Sequence, residues 1–333
     1  MLKVGIIGFG KMGKTRAEAI KAEGRGQVVS VFDIDSGVDF EGLPRAGSAE
    51  AIINDPGIEV VFICTPNRLN QPLTIAALKQ GKHVFCEKPP AFNASQVLEI
   101  QEIEKASQKK LMYGFNHRHH SSIKHMKTLI DSGDFGNILW IRGRYGKSVD
   151  KNFFENWRAR KELAGGGILL DQGIHMLDLF LYLAGDFHEV QAMVSNLYWK
   201  LDIEDNVFAI FRNNQNGIVA QLHSTMTQWR HLFSLEIFLE RGYLVLNGLK
   251  TSSGTYGEEV LSIAKNRTTS PAATWEDEER ITFHTDMSWR SEIDYFFNAI
   301  LNDTPIKIGN SADALKIMKI IDKIYANGKV DSR

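Results

Sequence analysis

The residue types best suited to chemistry lie in the segment GGGILLDQGIHMLD, where three glycines precede a strongly apolar helix pattern. Asp171, His175 and Asp178 occupy positions i, i+4 and i+7, so a regular helix presents all three on one face. Imidazole exchanges protons near neutral pH, and a carboxylate one turn away can orient it. Three other interpretations stay open: Asp178 as an ordinary ion-pair partner, His175 as a hydrogen-bonded core residue, and a metal site. Because no third or fourth ligand is evident, we expect no metal.

A second candidate is Lys88, in the stretch CEKPP that follows the apolar run KHVF. Two prolines stiffen the chain after it, because proline restricts φ. The lysine is either a solvated charge at a strand end or a fixed positive charge that stabilises a developing alkoxide.

The stretch GFGKMG contains Gly8, Gly10 and Gly13 in the pattern G-x-G-x-x-G, after a predicted strand and at the start of a predicted helix. This context favours dinucleotide binding, with the pyrophosphate at the helix N-terminus, over a glycine-rich turn without a nucleotide. Asp33 lies 20 residues after Gly13, where an acidic residue binds the ribose hydroxyls and repels a 2′-phosphate. We therefore expect NAD as the cofactor, with NADP disfavoured.

These candidates need a scaffold, and the pattern of strands and helices predicts two domains. Residues 1–118 alternate near-continuous apolar strands with helices, which is typical of a doubly wound parallel sheet. Residues 119–333 contain longer strand patterns, with hairpin signals at Asn216–Gly217 and Arg241–Gly242. They predict an α+β domain with a large open, mostly antiparallel sheet. The sequence leaves open whether the last helix packs on the second domain or returns to the first.

The composition excludes several classes of function. The chain has 333 residues, of which 43% are apolar, and 39 Lys+Arg balance 40 Asp+Glu, so no bulk charge attracts nucleic acid or an acidic membrane. Cys64 and Cys86 both lie in strand patterns and indicate reduced thiols in a cytoplasmic protein. The most apolar helix candidate carries two aspartates and a histidine, so we expect no membrane span, and residue 4 already belongs to a strand, which argues against a signal peptide.

The segments GIIGFGKMG, TPNRLNQPLTIAALKQGKHVFCEKP and AGGGILLDQGIHMLDL resemble the glucose–fructose oxidoreductase / inositol dehydrogenase / MocA (Gfo/Idh/MocA) family of NAD(P)-dependent oxidoreductases. The resemblance covers nearly the whole chain. It implies a Rossmann domain, an α/β second domain with a large open sheet, and a catalytic set that matches Lys88, Asp171 and His175. It also implies a homo-oligomer, a dimer or tetramer.

Within this resemblance His175 is the expected general base, Lys88 the charge that stabilises alkoxide, and Asp171 the residue that orients the imidazole or accepts from a substrate hydroxyl. Arg118, Trp157 and Arg158 are weaker substrate candidates, and the histidines beside Arg118 are expected to form a solvated helix start. Asn70 stands where the family commonly has a histidine, and no role is assigned to it. The expected cofactor-binding residues are Gly8, Phe9, Gly10, Lys11, Met12, Gly13, Asp33, Thr65, Pro66, Asn67, Glu87 and Lys88.

The resulting hypothesis is an NAD-dependent dehydrogenase that transfers hydride from a ring hydroxyl of a sugar, sugar nucleotide or cyclitol. A ketosugar reductase working in the reverse direction, and a non-catalytic NAD(H)-sensing regulator on the same fold, are the alternatives. The basic stretch 147–161, with Lys147, Lys151, Arg158, Arg160 and Lys161, suits either an anionic substrate or a solvated loop.

Overall fold

The computed structural model describes residues 1–265, 274–328 and 330–332. The chain divides into two compact units, one formed by residues 1–116 and 288–319 and the other by residues 117–287 and 320–333. The sequence predicted a single boundary after residue 118, whereas in the structure residues 288–319 belong with the N-terminal unit. The physical reason is apolar burial, because Phe296 and Phe297 lie in the same core as Val4, Phe62 and Phe85.

The bounds of the elements follow in chain order. The strands are β1 Leu2–Ile7, β2 Gly26–Phe32, β3 Val60–Ile63, β4 His83–Cys86, β5 Leu111–Tyr113, β6 Ile138–Ser148, β7 Glu189–Asn196, β8 Asn206–Arg212, β9 Val219–Thr225, β10 Thr227–Leu239, β11 Gly242–Asn247, β12 Glu259–Lys265, β13 Glu279–Phe283 and β14 Val330–Ser332. The helices are α1 Lys11–Glu23, α2 Ala49–Asn54, α3 Asn70–Lys79, α4 Ala94–Ser107, α5 Ser121–Asp131, α6 Lys161–Ala164, α7 Ile174–Ala184, α8 Ser288–Leu301 and α9 Ser311–Asn327.

The first unit contains a parallel sheet with the strand order β2-β1-β3-β4-β5. The four residues of β3 are all buried, as the near-continuous apolar run predicted. The strand order reverses between β1 and β3, and ligands of doubly wound folds bind at the carboxyl ends of strands at such a point. The prediction of a doubly wound sheet is confirmed. The residues that follow β1, β3 and β4 are therefore the candidates for ligand binding.

Local signals explain where the helices of this unit begin and end. Helix α1 ends at Gly24, whose φ of +92° is a left-handed conformation that glycine adopts without strain. Helix α2 begins after Ser48, whose side chain accepts the N–H of Ala51. Helix α4 begins in the same way after Asn93, which accepts the N–H of Gln96.

The second unit contains a mixed, mostly antiparallel sheet with the order β13-β12-β11-β10-β6-β9-β8-β7-β14. The pairs β6–β9 and β7–β14 are parallel, and the other pairs are antiparallel. Both predicted hairpins are present: Gly217 lies in the turn between β8 and β9, and Arg241 in the turn between β10 and β11. The large open sheet is therefore confirmed.

The two faces of this sheet differ. Helix α7 packs on one face, where a Cβ added to Gly143 of β6 would lie 2.5 Å from Met176. Met193 and Phe208 are paired on the other face, which Trp140 of β6 shares, and these three residues are 76%, 44% and 37% exposed. One face is thus buried by helices, while the other presents apolar side chains to solvent.

One helical stretch of the described residues, Lys161–Ala184, has the length and the apolar composition of a membrane span. Of the most apolar 18 residues of this stretch, 72% are buried inside the protein, as in the core helix of a globular domain. This agrees with the expectation of a buried helix.

Candidate active site

The glycine-rich loop after β1 has one open position and two closely packed ones. A Cβ at Gly8, whose φ is +88°, would lie 2.5 Å from the carbonyl oxygen of Cys64, and a Cβ at Gly13 would lie 2.2 Å from that of Gly8. A Cβ at Gly10 would meet nothing within 4 Å. Two glycines are therefore required by packing, while the third leaves the backbone accessible to a ligand, which is the arrangement that a dinucleotide fits.

The elements around this loop supply N–H groups suited to a phosphate and a carboxylate suited to ribose hydroxyls. Helix α1 begins at Lys11 and Met12 with no side-chain cap and no acidic residue in its first turn, which leaves its N–H groups available to a phosphate. Asp33 follows β2, and its carboxylate accepts the N–H of Phe9 at 2.6 Å and that of Asp35 at 3.0 Å. The acidic residue expected for ribose binding is therefore anchored to the loop itself.

Lys88 follows β4 at the same edge of the sheet. It is half-buried, between buried Glu87 and buried Pro89. The side-chain amide of Asn70 donates to the carbonyl oxygen of Glu87 at 3.1 Å and to that of Pro89 at 2.8 Å. Asn70 also accepts the hydroxyl of Thr65 at 3.2 Å. A fully buried asparagine thus fixes the backbone on both sides of Lys88, a function that the sequence did not reveal.

Glu87 is held by a buried charge network within the first unit. Arg16 of α1 is fully buried and donates to Glu87 at 2.6 Å and to Glu292 of α8 at 2.6 Å. Its guanidinium also lies over the rings of Phe85 and Trp289. Burial alone would lower the pKa of Arg16, but the two carboxylates outweigh burial and raise it. The nucleotide-loop helix and the segment of Lys88 are therefore linked by a permanent cation.

In the second unit the glycine triplet and Glu204 shape the start of the catalytic-helix candidate. Glu204 accepts the N–H of Gly167 at 2.8 Å and that of Leu169 at 3.0 Å, and a Cβ at Gly167 would lie 2.0 Å from its carbonyl oxygen. Burial raises the pKa of Glu204 despite these hydrogen bonds. Residues Leu169–Gly173 then form a π-helical turn before α7. The predicted regular helix is thus interrupted at Asp171, and such turns are frequent at functional sites.

The half-buried carboxylate of Asp171 is held by two cations of the basic stretch. Lys147 of β6 donates to it at 3.1 Å and Arg158 at 3.3 Å. Arg158 also stacks on the ring of Trp157, with its guanidinium carbon 4.4 Å from the ring centroid. The three predicted residues Asp171, Trp157 and Arg158 therefore lie in one cluster, which Lys147 completes.

His175 is buried and lies against a second imidazole. Its ring stacks on that of His117 with 3.9 Å between centroids and 21° between planes. His117 in turn bonds the hydroxyl of Tyr145 through Nε2 at 2.9 Å. The expectation that residues 117–120 form a solvated helix start was wrong, since these side chains are only 2–5% exposed. They are buried because His117 packs on His175 and Tyr145, and His120 on Glu259 at 3.0 Å.

Asp178 is the ion-pair partner that one interpretation allowed. Arg118 donates to its two carboxylate oxygens at 2.6 and 2.7 Å, and both side chains are buried. Arg118 therefore anchors the segment before α5 to α7, and its role as a weaker substrate candidate stays a prediction. Among residues 1–265, 274–328 and 330–332, no group of His, Cys, Asp or Glu has the arrangement of a metal site.

Two family models match the chain. Residues 2–115 match the model for the N-terminal domain of the Gfo/Idh/MocA proteins, described as an oxidoreductase family with an NAD-binding Rossmann fold. Residues 123–245 match the GFO/IDH/MocA C-terminal domain. Together the two matches cover more than half of the chain.

The chain belongs to the Gfo/Idh/MocA oxidoreductase family. Its first unit is an NAD-binding Rossmann domain, and several of its relatives are named dehydrogenases. The levoglucosan dehydrogenase of Pseudarthrobacter phenanthrenivorans is 39% identical over 147 residues, which is 44% of this chain and 38% of that protein. The myo-inositol 2-dehydrogenase of Thermotoga maritima is 24% identical over 271 residues, 78% of this chain and 79% of that protein.

A solved structure of a levoglucosan dehydrogenase in complex with NADH and levoglucosan has the same fold. It superimposes with a TM-score of 0.87 at 26% identity and covers 98% of this chain and 96% of its own. This Gfo/Idh/MocA protein is thus an NAD(P)-dependent dehydrogenase.

Proposed function

We propose that this dehydrogenase transfers hydride between NAD and a ring secondary hydroxyl of an uncharged sugar or cyclitol, with Lys88, Asp171 and His175 acting on the substrate. The observation that carries the proposal is the carboxyl edge of the first unit's sheet. The glycine-rich loop follows β1 and Lys88 follows β4, with β3 between the two strands. A fixed ammonium at the edge that receives a dinucleotide is suited to an alcohol that is losing its proton.

Each protein group has a separate task in this scheme. NAD, held by the glycine-rich loop Gly8–Gly13 and Asp33, would supply an acceptor for the hydride of the alcohol carbon. His175 takes the hydroxyl proton, since imidazole has a pKa of about 6.5 and exchanges protons near neutrality. Lys88 stabilises negative charge on the same oxygen, and Asp171, fixed by Lys147 and Arg158, orients the substrate or the imidazole. In the reverse direction His175 returns the proton to a carbonyl oxygen.

The cofactor in this proposal is NAD. Asp33 and Asp35 place two carboxylates after β2, and Ile34 between them is an exposed apolar residue. A 2′-phosphate would meet negative charge there, whereas ribose hydroxyls would donate to Asp33. Residues that hold the dinucleotide are then the loop Gly8–Gly13, Asp33, the segment Thr65–Asn67 after β3, and Glu87–Lys88.

The proposal of an uncharged substrate is supported by the ion pairs that cations of the basic stretch 147–161 already make. Lys147 and Arg158 already bond Asp171, and Lys161 lies 3.9 Å from Asp202. An anionic substrate would have to compete with a carboxylate of the protein for Lys147 and Arg158. Hydroxyl groups, by contrast, can share such paired charges as donors and acceptors. Two of the relatives, the dehydrogenases of levoglucosan and myo-inositol, are named for neutral polyols.

We also propose a cytoplasmic homo-oligomer. The open face of the second unit's sheet exposes Met193 and Phe208, which are paired across β7 and β8, and Ile210, the next residue of β8 on that face. An exposed apolar patch of this kind is suited to a second copy of the chain. Cys64 and Cys86 are free thiols, as a reducing compartment requires. Light scattering of the wild type and of Phe208→Glu tests the interface, since a charge on this face should lower the mass.

The function is tested by a thermal-shift screen followed by turnover assays. NAD and NADP are added first, and then each is combined with free sugars, cyclitols, sugar acids and nucleotide sugars, because a ligand of the folded state raises the melting temperature. We expect stabilisation by NAD and further stabilisation by neutral polyols, one of which is oxidised with formation of NADH. Binding of NADH without turnover of any member of the panel would instead identify a non-catalytic NAD(H)-sensing protein.

A further inference from the structure

We propose that His117 is a positioning residue that holds the ring of His175 by stacking and is itself held by the hydroxyl of Tyr145. This inference rests on the proposed function in one respect, namely that His175 exchanges the substrate proton. The geometry on which it is built lies entirely within the second unit.

The contact between the two imidazoles is close and nearly parallel. The ring centroids lie 3.9 Å apart at 21°, and the two residues are 5% and 6% exposed. In such a stack the face of His117 limits rotation of the His175 ring about its terminal side-chain torsion, which is otherwise a broad potential. His117 thereby selects the direction in which the His175 nitrogens point.

The second imidazole also affects charge. Two imidazolium ions at this separation would repel each other strongly, so the pair accommodates one proton far more readily than two. A neutral His117 presents a π face to His175, which favours an imidazolium formed there. The protonation state of His117 therefore affects how readily His175 takes up a proton.

The hydroxyl of Tyr145 holds the ring of His117. His117 Nε2 lies 2.9 Å from this hydroxyl, and the rings of Tyr145 and Tyr256 pack edge to face with 5.4 Å between centroids. Burial first, and then neighbouring groups, raise the pKa of Tyr145, so its hydroxyl keeps its hydrogen. A Tyr145 hydroxyl that donates fixes His117 as the neutral Nδ1–H tautomer, whereas one that accepts requires a hydrogen on Nε2.

The other charged groups around the pair are engaged with partners. His120, whose ring centroid is 5.7 Å from that of His117, bonds Glu259 at 3.0 Å and lies 3.9 Å from Asp286. Asp178 is paired with Arg118 in the segment that carries His117. Asp171, in the turn before His175, is paired with Lys147 of β6 and with Arg158. Each of these carboxylates thus has a cationic partner or His120, and Tyr145 bonds the stacked pair at His117 Nε2.

The test compares three variants by two readouts that do not depend on each other. His117→Phe keeps an aromatic face without nitrogens, His117→Ala removes the face, and Tyr145→Phe removes only the hydroxyl. Nitrogen-15 NMR of labelled histidine follows the titration of the His175 ring without substrate. Steady-state assays give kcat and KM with NAD and the substrate found in the screen.

We expect His117→Ala to lower kcat roughly 10- to 100-fold with KM nearly unchanged, because a misoriented base affects the chemical step. His117→Phe should restore most of kcat. The midpoint of His175 should move by roughly half a pH unit or more in His117→Ala and much less in His117→Phe, and Tyr145→Phe should move the midpoint of His117.

Equal kcat and an unmoved His175 midpoint in both His117 variants would overturn the inference. If His117→Ala does not fold, the Tyr145→Phe and His117→Phe titrations still decide it. Failure of the proposed function would give a different result. The His175→Ala variant would then turn over normally, while the titration midpoint of His175 would still respond to the His117 substitutions.

Discussion

Arg118 and Asp178 form a bidentate ion pair in the interior of the second unit, with donor–acceptor distances of 2.6 and 2.7 Å. Arg118 follows His117 in the chain, and Asp178 lies three residues after His175. The ion pair therefore joins the two segments that carry the stacked imidazoles. Arg118 serves the proposed site by holding its parts together.

Breaking this ion pair should strongly destabilise the second unit. Arg118→Leu leaves the Asp178 carboxylate buried without its main cation, which costs about 3–5 kcal/mol. The free energy of unfolding in urea measures the change. Arg142→Leu is the matched control, since Arg142 makes a similar contact with Glu236 but is 47% exposed, and its loss should cost less than about 1 kcal/mol. Equal destabilisation by the two substitutions would contradict the account.

Asn70→Ala should impair turnover more than cofactor binding. The substitution removes the two hydrogen bonds that fix the carbonyl oxygens beside Lys88. A less well positioned ammonium should lower kcat roughly tenfold or more, while the dissociation constant of NADH changes less. Steady-state kinetics and fluorescence titration measure the two effects. Gln71→Ala, at a more exposed amide that bonds Glu99, serves as the control and should behave as the wild type.

Asp33→Asn should weaken the preference for NAD. The amide oxygen can still accept the N–H of Phe9 and hold the glycine-rich loop, while the hydrogen bond from the N–H of Asp35 is lost. Removal of the negative charge lowers the repulsion of a 2′-phosphate and weakens binding of the ribose hydroxyls. We expect the ratio of kcat/KM for NAD to that for NADP to fall roughly tenfold or more, which corresponds to about 1.4 kcal/mol. An unchanged ratio would show that another residue selects the cofactor.

The stability of the first unit should decrease with falling pH through His83. Burial first, and then the charges of Lys109 and Lys110, lower the pKa of His83 to about 4, and its Nδ1 accepts the N–H of Lys110. Because this pKa lies below the unfolded value of about 6.5, the folded state binds fewer protons, so stability is lost as pH falls from 6.5 towards 4.

After allowance for solvent screening, we expect a loss of about 1 kcal/mol between pH 7.5 and pH 5 from this group. His83→Asn retains an acceptor but does not titrate, so the difference between its unfolding free energies at these two pH values should be smaller by that amount. An identical pH dependence in both proteins would remove His83 as the cause.

The sequence was sufficient for the features that are local. Gly8 and Gly13 meet steric requirements within one strand–turn–helix unit, Gly10 leaves the backbone of that unit open, and Asp33 follows from its length. The alternation of strands and helices predicted the parallel sheet, and the hairpin turns predicted part of the second sheet.

Features that depend on distant partners were missed. The side chains of residues 117–120 look solvated in sequence, yet they are buried because Tyr145, Asp178 and Glu259 come from elsewhere in the second unit. Asn70 and Arg16 act on Glu87, which lies 17 and 71 residues away. No local pattern marks such residues, since an isolated polar residue reads as solvated until its partner is known.

The central claim is that His175 and Lys88 act in hydride transfer, and single-turnover reduction of NAD by the substrate from the screen tests it most directly. The absorbance of NADH is monitored in the wild type, His175→Ala and Lys88→Met. The account predicts that His175→Ala slows hydride transfer by roughly 10²–10⁴ with NAD affinity retained, and that Lys88→Met slows it by roughly 10²–10³. The exposed controls His284→Ala and Lys79→Met should react at the wild-type rate. Wild-type rates in His175→Ala or in Lys88→Met would contradict the proposed chemistry.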